Sequence, residues 1–402
     1  MSAVQHSPQD TARMAGRVRP VTTSIFATMS RLAVEHKAVN LSQGFPDFPA
    51  PEWLKEAAQE AIARNVNQYA VDHGTARLRR AVAAKAERRM GIGFDENLEV
   101  TVTSGATEAI FDTIQSLIDP GDEMIVFEPY YDSYVPSIQF AGGVPRFATL
   151  RAPDWNFDHD HLASLFNDRT KAILINTPHN PTGKVYTEDE LVFIADLCKR
   201  HNALAITDEV YEFMVYDGNR HISIATLPGM RERTVTINSA AKTFSITGWK
   251  IGYALAPPDL TEAIRRYHQF VVFSSAAPLQ EAVAIGMESA EERGYYETLQ
   301  QEYAARMEKL MASLERAGLK PIRPQGTYFI MSDISGLGFK DDVEFAMYMT
   351  TQAGVACIPP SAFYQDPSHG AGLCRWCFAK SDATLQAAEE KLMAWAEQHL
   401  GS

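Results

Sequence analysis

A chain of 402 residues is long enough to bury a sizeable core in two or three domains, and 46% hydrophobic with 22% charged residues marks it as globular, not disordered. Its 50 acidic residues outnumber 37 basic ones, and a net charge of −13 with no basic run argues against nucleic acid as a partner. No apolar stretch approaches the roughly 18–20 residues that a membrane span needs, so no membrane partner is expected.

In chain order, the first 20 residues set Arg13, Arg17 and Arg19 against one acid, Asp10. Pro8, Gly16 and Pro20 make that stretch read as a disordered arm, and no secretory apolar segment is visible. Val100 to Thr103 is rich in β-branched residues, Ser104 and Gly105 turn the chain, and Ala109, Ile110, Thr113, Ile114 and Leu117 follow at helical spacing. Met124 to Phe127, Ala172 to Ile175, Ala203 to Thr207 and Thr234 to Ile237 are further short apolar runs, most of them separated by enough residues for a crossover helix. The alternation predicts an α/β fold: a mostly parallel sheet flanked by helices on both faces, with ligands at the carboxyl ends of its strands. From Tyr295 to Ala317 a long charged helix is expected, then short strands and a last amphipathic helix from Thr384 to Gln398, which together predict a smaller α+β domain.

Cys198, Cys357, Cys374 and Cys377 are too few and scattered for a disulfide framework, which favours a reducing cytoplasm. Cys374 and Cys377 form a C-x-x-C pair, but in a buried strand positions three apart point to opposite faces, so neither a shared metal nor a redox bridge is expected. Asp158-His159-Asp160-His161 precedes Leu162, Leu165 and Phe166 at helical spacing and reads as a capped helix start. No metal site is expected there or elsewhere.

The chemistry-bearing residues fall at the ends of the predicted strands. Residues 239 to 252 read Ser-Ala-Ala-Lys-Thr-Phe-Ser-Ile-Thr-Gly-Trp-Lys-Ile-Gly. An amine attacks an aldehyde only when unprotonated, so Lys242 needs cationic or apolar neighbours to serve as a nucleophile. Lys250 and Ser239 are a cation and a hydroxyl suited to a phosphate. Ser239 and Lys242 also satisfy Ser-x-x-Lys, the nucleophile motif of penicillin-binding enzymes, but the companion Ser-Asp-Asn and Lys-Thr-Gly are missing. Ser104-Gly105-Ala106-Thr107 opens a helix whose free N–H groups suit a phosphate, although such turns are common. Asp208 ends the run Leu204-Ala-Ile-Thr, where a carboxylate needs a cation or several donors, unless it merely caps a helix. Asn176-Thr-Pro-His-Asn180-Pro-Thr-Gly183 is rich in turn residues. Arg375 shares a strand face with Leu373 and Cys377, so its guanidinium leaves an apolar wall to meet an anion; a structural salt bridge is the other reading.

Taken in this order, the motifs resemble those of the class I and II aminotransferases of fold type I, which hold pyridoxal 5'-phosphate (PLP). The branch containing methionine, kynurenine and glutamine aminotransferases is nearest, since it shares Gly-Trp-Lys, where much of the family has arginine at the place of Lys250. With Leu41-Ser-Gln-Gly-Phe-Pro-Asp-Phe-Pro-Ala and Phe378-Ala-Lys-Ser-Asp-Ala-Thr-Leu, the likeness runs from residue 24 to residue 393. It implies PLP on Lys242, Asp208 opposite the ring nitrogen, and Asn180 and Tyr211 on the phenolic oxygen. Tyr131, with Tyr130 as the alternative, stacks on the ring. The phosphate would lie among Gly105, Ala106, Thr107, Ser239 and Lys250, with Tyr69 reaching it from the second subunit of a homodimer. Arg375 would hold the substrate α-carboxylate beside Gly44, Asn180 and Phe363.

The same resemblance divides the chain into an arm and part of a small domain (1–47), a large PLP-binding domain (48–295) and the rest of the small domain (296–402). The expected pocket of Ile25, Phe26, Phe45, Tyr131, Phe363 and Phe273, the last from either this chain or the second subunit, lacks an arginine for a second carboxylate. It favours methionine, glutamine, phenylalanine, tyrosine or kynurenine over aspartate as donor to a 2-oxo acid. A cysteine S-conjugate β-lyase would use the same groups. A PLP-sensing regulator would need a DNA-binding module, for which no residues remain outside the fold.

Overall fold

The computed structural model describes residues 13–19, 21 and 23–399; Pro8, Asp10 and Pro20 of the expected arm lie outside the described residues. Its strands are β1 (Val39–Asn40), β2 (Val100–Thr103), β3 (Glu123–Glu128), β4 (Val144–Thr149), β5 (Thr170–Asn176), β6 (Leu204–Asp208), β7 (Thr234–Ser239), β8 (Gly252–Leu255), β9 (Lys320–Ile322), β10 (Phe329–Asp333), β11 (Val355–Ala356) and β12 (Leu373–Cys377). Seven of them form one sheet in the order β2-β8-β7-β6-β5-β3-β4.

Period-two burial explains why this sheet sits in the middle of the molecule. Met124 and Val126 of β3, with Ala172 and Leu174 of β5, pack on one side against Ile110 and Ile114 of helix Ala106–Leu117. Ile125 and Phe127, with Ile173 and Ile175, face the opposite side and meet Leu191 and Ile194 of helix Glu188–Arg200. Both faces of each strand are therefore apolar, as a sheet covered by helices on both sides requires. The α/β expectation holds, with two strands the sequence reading passed over. β4 is a half-exposed edge strand, and β8 runs antiparallel to both β2 and β7.

A smaller antiparallel sheet, β12-β10-β9, and the parallel pair β1·β11 lie outside the large sheet, and the pair joins residues 39–40 to residues 355–356. Helix Tyr295–Arg316 packs on the last helix, Asp382–His399, close to the predicted spans. Asp158 caps helix His159–Leu165 by accepting the N–H of His161, so the Asp-His-Asp-His run is a helix start. All four cysteines are free and buried. Among the described residues no helix is long and apolar enough to cross a membrane.

Candidate active site

The register of β2, β8 and β7 assembles one end of the site. Thr103 and Ser239 both pair with Gly252, so the turn after β2 and the turn after β7 meet across the first residue of β8. A Cβ on Gly252 would stand 2.5 Å from the nitrogen of Ala106 and the carbonyl carbon of Gly105, so only glycine allows this approach. Gly105 has φ +84°, and a Cβ there would lie 3.1 Å from the Lys250 ammonium. Lys250 itself takes the left-handed conformation, φ 55°, which turns it back over the Gly105 turn. No side chain caps helix Ala106–Leu117, so its first N–H groups are left to a cavity lined by Gly105, Ala106, Thr107, Ser239 and Lys250. A helix N-terminus beside a cation is an anion cradle. Ser239 differs from expectation: its hydroxyl donates to the Ile251 carbonyl at 3.0 Å and accepts the Ala241 N–H, so its proton is already committed.

The cavity, about 420 Å³, extends from this cradle along the carboxyl ends of the strands. Asp208 closes β6 and is buried, with Tyr134 donating to its carboxylate at 2.6 Å. Burial raises its pKa to about 6, against the Tyr134 hydrogen bond and the Lys242 charge. No cation reaches it within salt-bridge distance among the described residues, so the site offers a carboxylate to a ligand's positive nitrogen. Asn176, at the end of β5, donates to the Asp208 carbonyl at 2.9 Å and accepts the Asn180 N–H at 2.7 Å, which fixes the turn carrying Asn180.

Lys242 sits on the short helix Ala240–Thr243 directly after β7. Its amine donates to the Gly44 carbonyl at 3.1 Å and lies 5.7 Å and 5.4 Å from the ring centroids of Tyr211 and Tyr328. Burial is the main cause of a pKa lowered to about 8; Lys250 and Arg375 add to the fall, and Cys377 and Asp208 oppose it. An amine so placed is partly neutral at ordinary pH and can act as nucleophile or base.

Arg375 is buried at the middle of β12, opposite Met331. Its Nη1 donates to Asn180 Oδ1 at 3.0 Å, its Nη2 to the Ser42 carbonyl at 2.9 Å, and its Nε has no partner. The guanidinium carbon lies 4.1 Å from the Phe329 centroid and 4.9 Å from that of Phe26, and no carboxylate of the described residues pairs with it. A buried guanidinium in an aromatic box, one N–H unspent, is a receptor for a carboxylate, which rules out the internal salt-bridge reading.

The structure separates some predicted residues from the cavity. Tyr131 lines it, its phenol pushed up to about 12 chiefly by burial, while Tyr130 stacks on Phe147 instead. Gly44, Asn180 and Tyr211 line it as well. Phe363 is not on the wall: it is fully buried, stacked on Phe26 at 5.5 Å, and supports the substrate side through that ring and through its own ring, 5.7 Å from the Arg375 guanidinium carbon. Phe45 opens on a separate shallow cleft with Lys380, since its ring packs on that ammonium at 4.9 Å. Ile25 packs against the core behind the cavity. Tyr69 and Phe273 touch each other edge to face on the surface, away from the cavity of their own chain. Ser24, Gln43, Asp132, Asn176, Thr247 and Phe329 line the cavity without having been singled out.

These groups fit a phosphorylated pyridine aldehyde, with an anion cradle, an amine of lowered pKa, a buried carboxylate lacking a cation and aromatic walls. Comparison with known proteins agrees with that chemistry. Residues 36–392 match the family model for aminotransferases of class I and II. Kynurenine–oxoglutarate transaminase 3 of Mus musculus is 41% identical, the alignment covering 96% of this chain and 90% of that protein. The crystal structure of YbdL from Escherichia coli, described with a methionine aminotransferase function, superposes with a TM-score of 0.91 at 39% identity over 94% of this chain and 99% of that one. N-succinyldiaminopimelate aminotransferase from Mycobacterium tuberculosis gives a TM-score of 0.92 at 42% identity, over 95% and 99%. The chain belongs to the class I and II aminotransferase family. It is an aminotransferase, an enzyme that moves an amino group between an amino acid and a 2-oxo acid.

Proposed function

We propose that this aminotransferase works with PLP on Lys242 and takes large neutral or aromatic amino acids, of the methionine, phenylalanine, glutamine or kynurenine type, as donors to a 2-oxo acid. One observation carries the reading: the Lys242 amine shares a single cavity with the buried Asp208 carboxylate and the unpaired Arg375 guanidinium. When bound, PLP supplies an aldehyde that condenses with amines and a ring that accepts electrons from the substrate α-carbon. Asp208 keeps a proton on the ring nitrogen by offering it a buried negative charge, and Asn180, whose Oδ1 is taken by Arg375, has its amide N–H left for the phenolic oxygen. Arg375 holds the α-carboxylate by its fork, which sets the α-carbon beside Lys242. The Lys242 amine would take the α-proton and then, as an ammonium, give it back, the general base and then acid of both half-reactions. Donor and acceptor would alternate in a ping-pong cycle.

The choice of donor follows from the wall. Phe26, Ile110, Tyr131, Val210 and Phe329 are apolar or aromatic, and the cations among the lining residues are Lys242, Lys250 and Arg375, each with its own task. Asp132, on the same wall, would repel a distal carboxylate. The three relatives named above bear three different substrates in their names, so the lining supports the class where likeness alone does not. No feature of this cavity favours the β-lyase outcome, which would release ammonia and pyruvate.

Tyr69 is 87% and Phe270 86% exposed, and Val71 and Val271 to Phe273 continue the apolar patch. Its extent supports a homodimer in which this patch is covered and Tyr69 serves the cradle of the partner. The buried free thiols are in keeping with a cytoplasmic location. The test is direct: protein incubated with methionine and a 2-oxo acid should yield the corresponding new amino acid, and the Lys242→Ala variant should yield none. Ammonia in place of the new amino acid would sink the transamination reading.

A further inference from the structure

His268 ends helix Pro258–His268, is wholly buried, and has no part in the chemistry above. Its Nδ1 lies 3.0 Å from Glu108 Oε1 and 3.2 Å from Asp112 Oδ2, and its Nε2 lies 2.9 Å from the Asp72 carbonyl oxygen. Carbonyl and carboxylate oxygens accept, so both ring nitrogens carry hydrogen and the ring is an imidazolium. Burial alone would lower its pKa, but Asp112 and Glu108 more than reverse this and hold it at about 10. With hydrogen on Nδ1 the trio is a closed ion cluster and leaves no ring nitrogen free for a metal.

The other charged groups nearby are occupied. The Asp72 carboxylate binds the ring of its neighbour His73, and Arg265, one turn earlier on the helix of His268, donates to Thr101 Oγ1 and to the carbonyls of Asn97 and Val100. Glu108 has a second bond: its Oε2 accepts the N–H of Ser104, the residue before the Gly105 turn. Asp112 sits one turn further along the same helix and has no such link; its Oδ1 is buried without a partner.

We infer that His268 is a positioning residue for the phosphate cradle: its cation fixes Glu108, and Glu108 fixes the Ser104–Gly105 turn so that the N–H groups of Ala106 and Thr107 stay aimed into the cavity. Asp112 lies against both the ring and Glu108 but makes no bond to the turn itself, which separates a positioning role from mere stability. The inference rests on the PLP reading. The experiment titrates three apo variants with PLP: His268→Gln, Glu108→Ala and Asp112→Asn. All three should melt earlier than wild type. His268→Gln and Glu108→Ala should lose about tenfold or more in PLP affinity and Asp112→Asn no more than about twofold, as expected when a charged hydrogen bond is lost from the first two paths alone. The ³¹P resonance of bound PLP should move in the first two variants and stay in the third. Equal losses in all three, or an unchanged affinity in His268→Gln, would overturn the inference. If His268→Gln does not fold, Glu108→Ala against Asp112→Asn decides it. Wild-type protein that fails to bind PLP removes the cofactor reading itself, a separate and earlier outcome.

Discussion

Lys242 gains its reactivity from where it stands. Burial destabilises its charged form, so the capture of an aldehyde by the apoenzyme should speed up as pH rises through about 8. A rate that climbs only near the ordinary lysine value of 10.5 would mean that the amine is not tuned by its surroundings. Asp208 and Asn180 differ in a way that can be measured. With PLP bound, Asp208→Asn would withdraw a buried charge from a cationic ring, a loss of about 3–5 kcal/mol or roughly two to four orders of magnitude in kcat. Asn180→Ala withdraws one neutral donor and the Oδ1 that accepts from Arg375, at about 1.5–3 kcal/mol or roughly one to two orders of magnitude. Comparable losses in the two variants would place Asp208 away from the ring nitrogen. His268 gives a third test, with the opposite sign to a lowered lysine. A folded pKa raised from 6.5 to about 10 contributes stability that is full below the unfolded value and lost as pH rises through about 10. The gap in melting temperature between wild type and His268→Gln should therefore close in strong alkali, and a gap that stays constant would contradict the imidazolium. At this scale the residues readable from sequence were those at strand ends. Tyr134, the hydrogen-bond partner of Asp208, was passed over although it follows Tyr131 by three residues. Its role depends on β3 and β6 being brought together, which no local pattern encodes.

Among the elements, helix and strand positions followed from period and turn residues, but register did not. The runs at Met124 and Ala172 became buried strands because both of their faces are apolar, while the run at Thr234 is buried with one face of Thr234, Thr236 and Asn238, of which Thr234 and Asn238 bond to the Met230 carbonyl and Glu212. β8 was hidden because Gly252 to Leu255 is only four residues long and follows the lysine motif without a break. Yet β8 makes the cradle, as its antiparallel run returns Lys250 beside Ser239 and sets Gly252 against Ala106. Gly252→Ala should push the Gly105–Ala106 backbone outward and cost about 1–3 kcal/mol of stability together with PLP affinity, since backbone atoms cannot yield as a side chain can. Gly248→Ala is the control, because a Cβ there meets nothing within 4 Å. Equal melting temperatures and equal PLP affinities for the two variants would show that the close approach is not needed. Phe45 and Phe363 were misplaced for a related reason. Each lies near the site in sequence or strand order, but the Phe45 ring packs on Lys380 in a separate cleft, and the Phe363 ring stacks on Phe26 and faces Arg375 without opening on the cavity.

For the whole molecule, two expectations meet at the cavity. If Tyr69 serves the partner's cradle, mixing Lys242→Ala with Tyr69→Ala subunits should regain activity, because one site of each mixed dimer then holds both residues; no regain would put Tyr69 outside the partner's site. The second expectation concerns which amino acid the assembled site prefers. Arg375 is bound to Asn180 and Ser42 and faces one carboxylate, Lys250 lies over the Gly105 turn, and Lys242 must stay free to move protons. Nothing cationic is left along the described wall for a second carboxylate, and Asp132, held there by the Ser24 hydroxyl at 2.6 Å, adds repulsion. A thioether or an aromatic ring laid against Phe26, Tyr131 and Phe329 gains about 25 cal/mol for each Å² it buries. A bare carboxylate in the same place carries the penalty of an unpaired buried charge, about 3–5 kcal/mol. With one shared 2-oxo acid acceptor, kcat/KM for methionine should exceed that for aspartate by more than about a hundredfold. A preference for aspartate would require a cation brought to the cavity by the second subunit, and it would overturn the substrate class drawn from this lining.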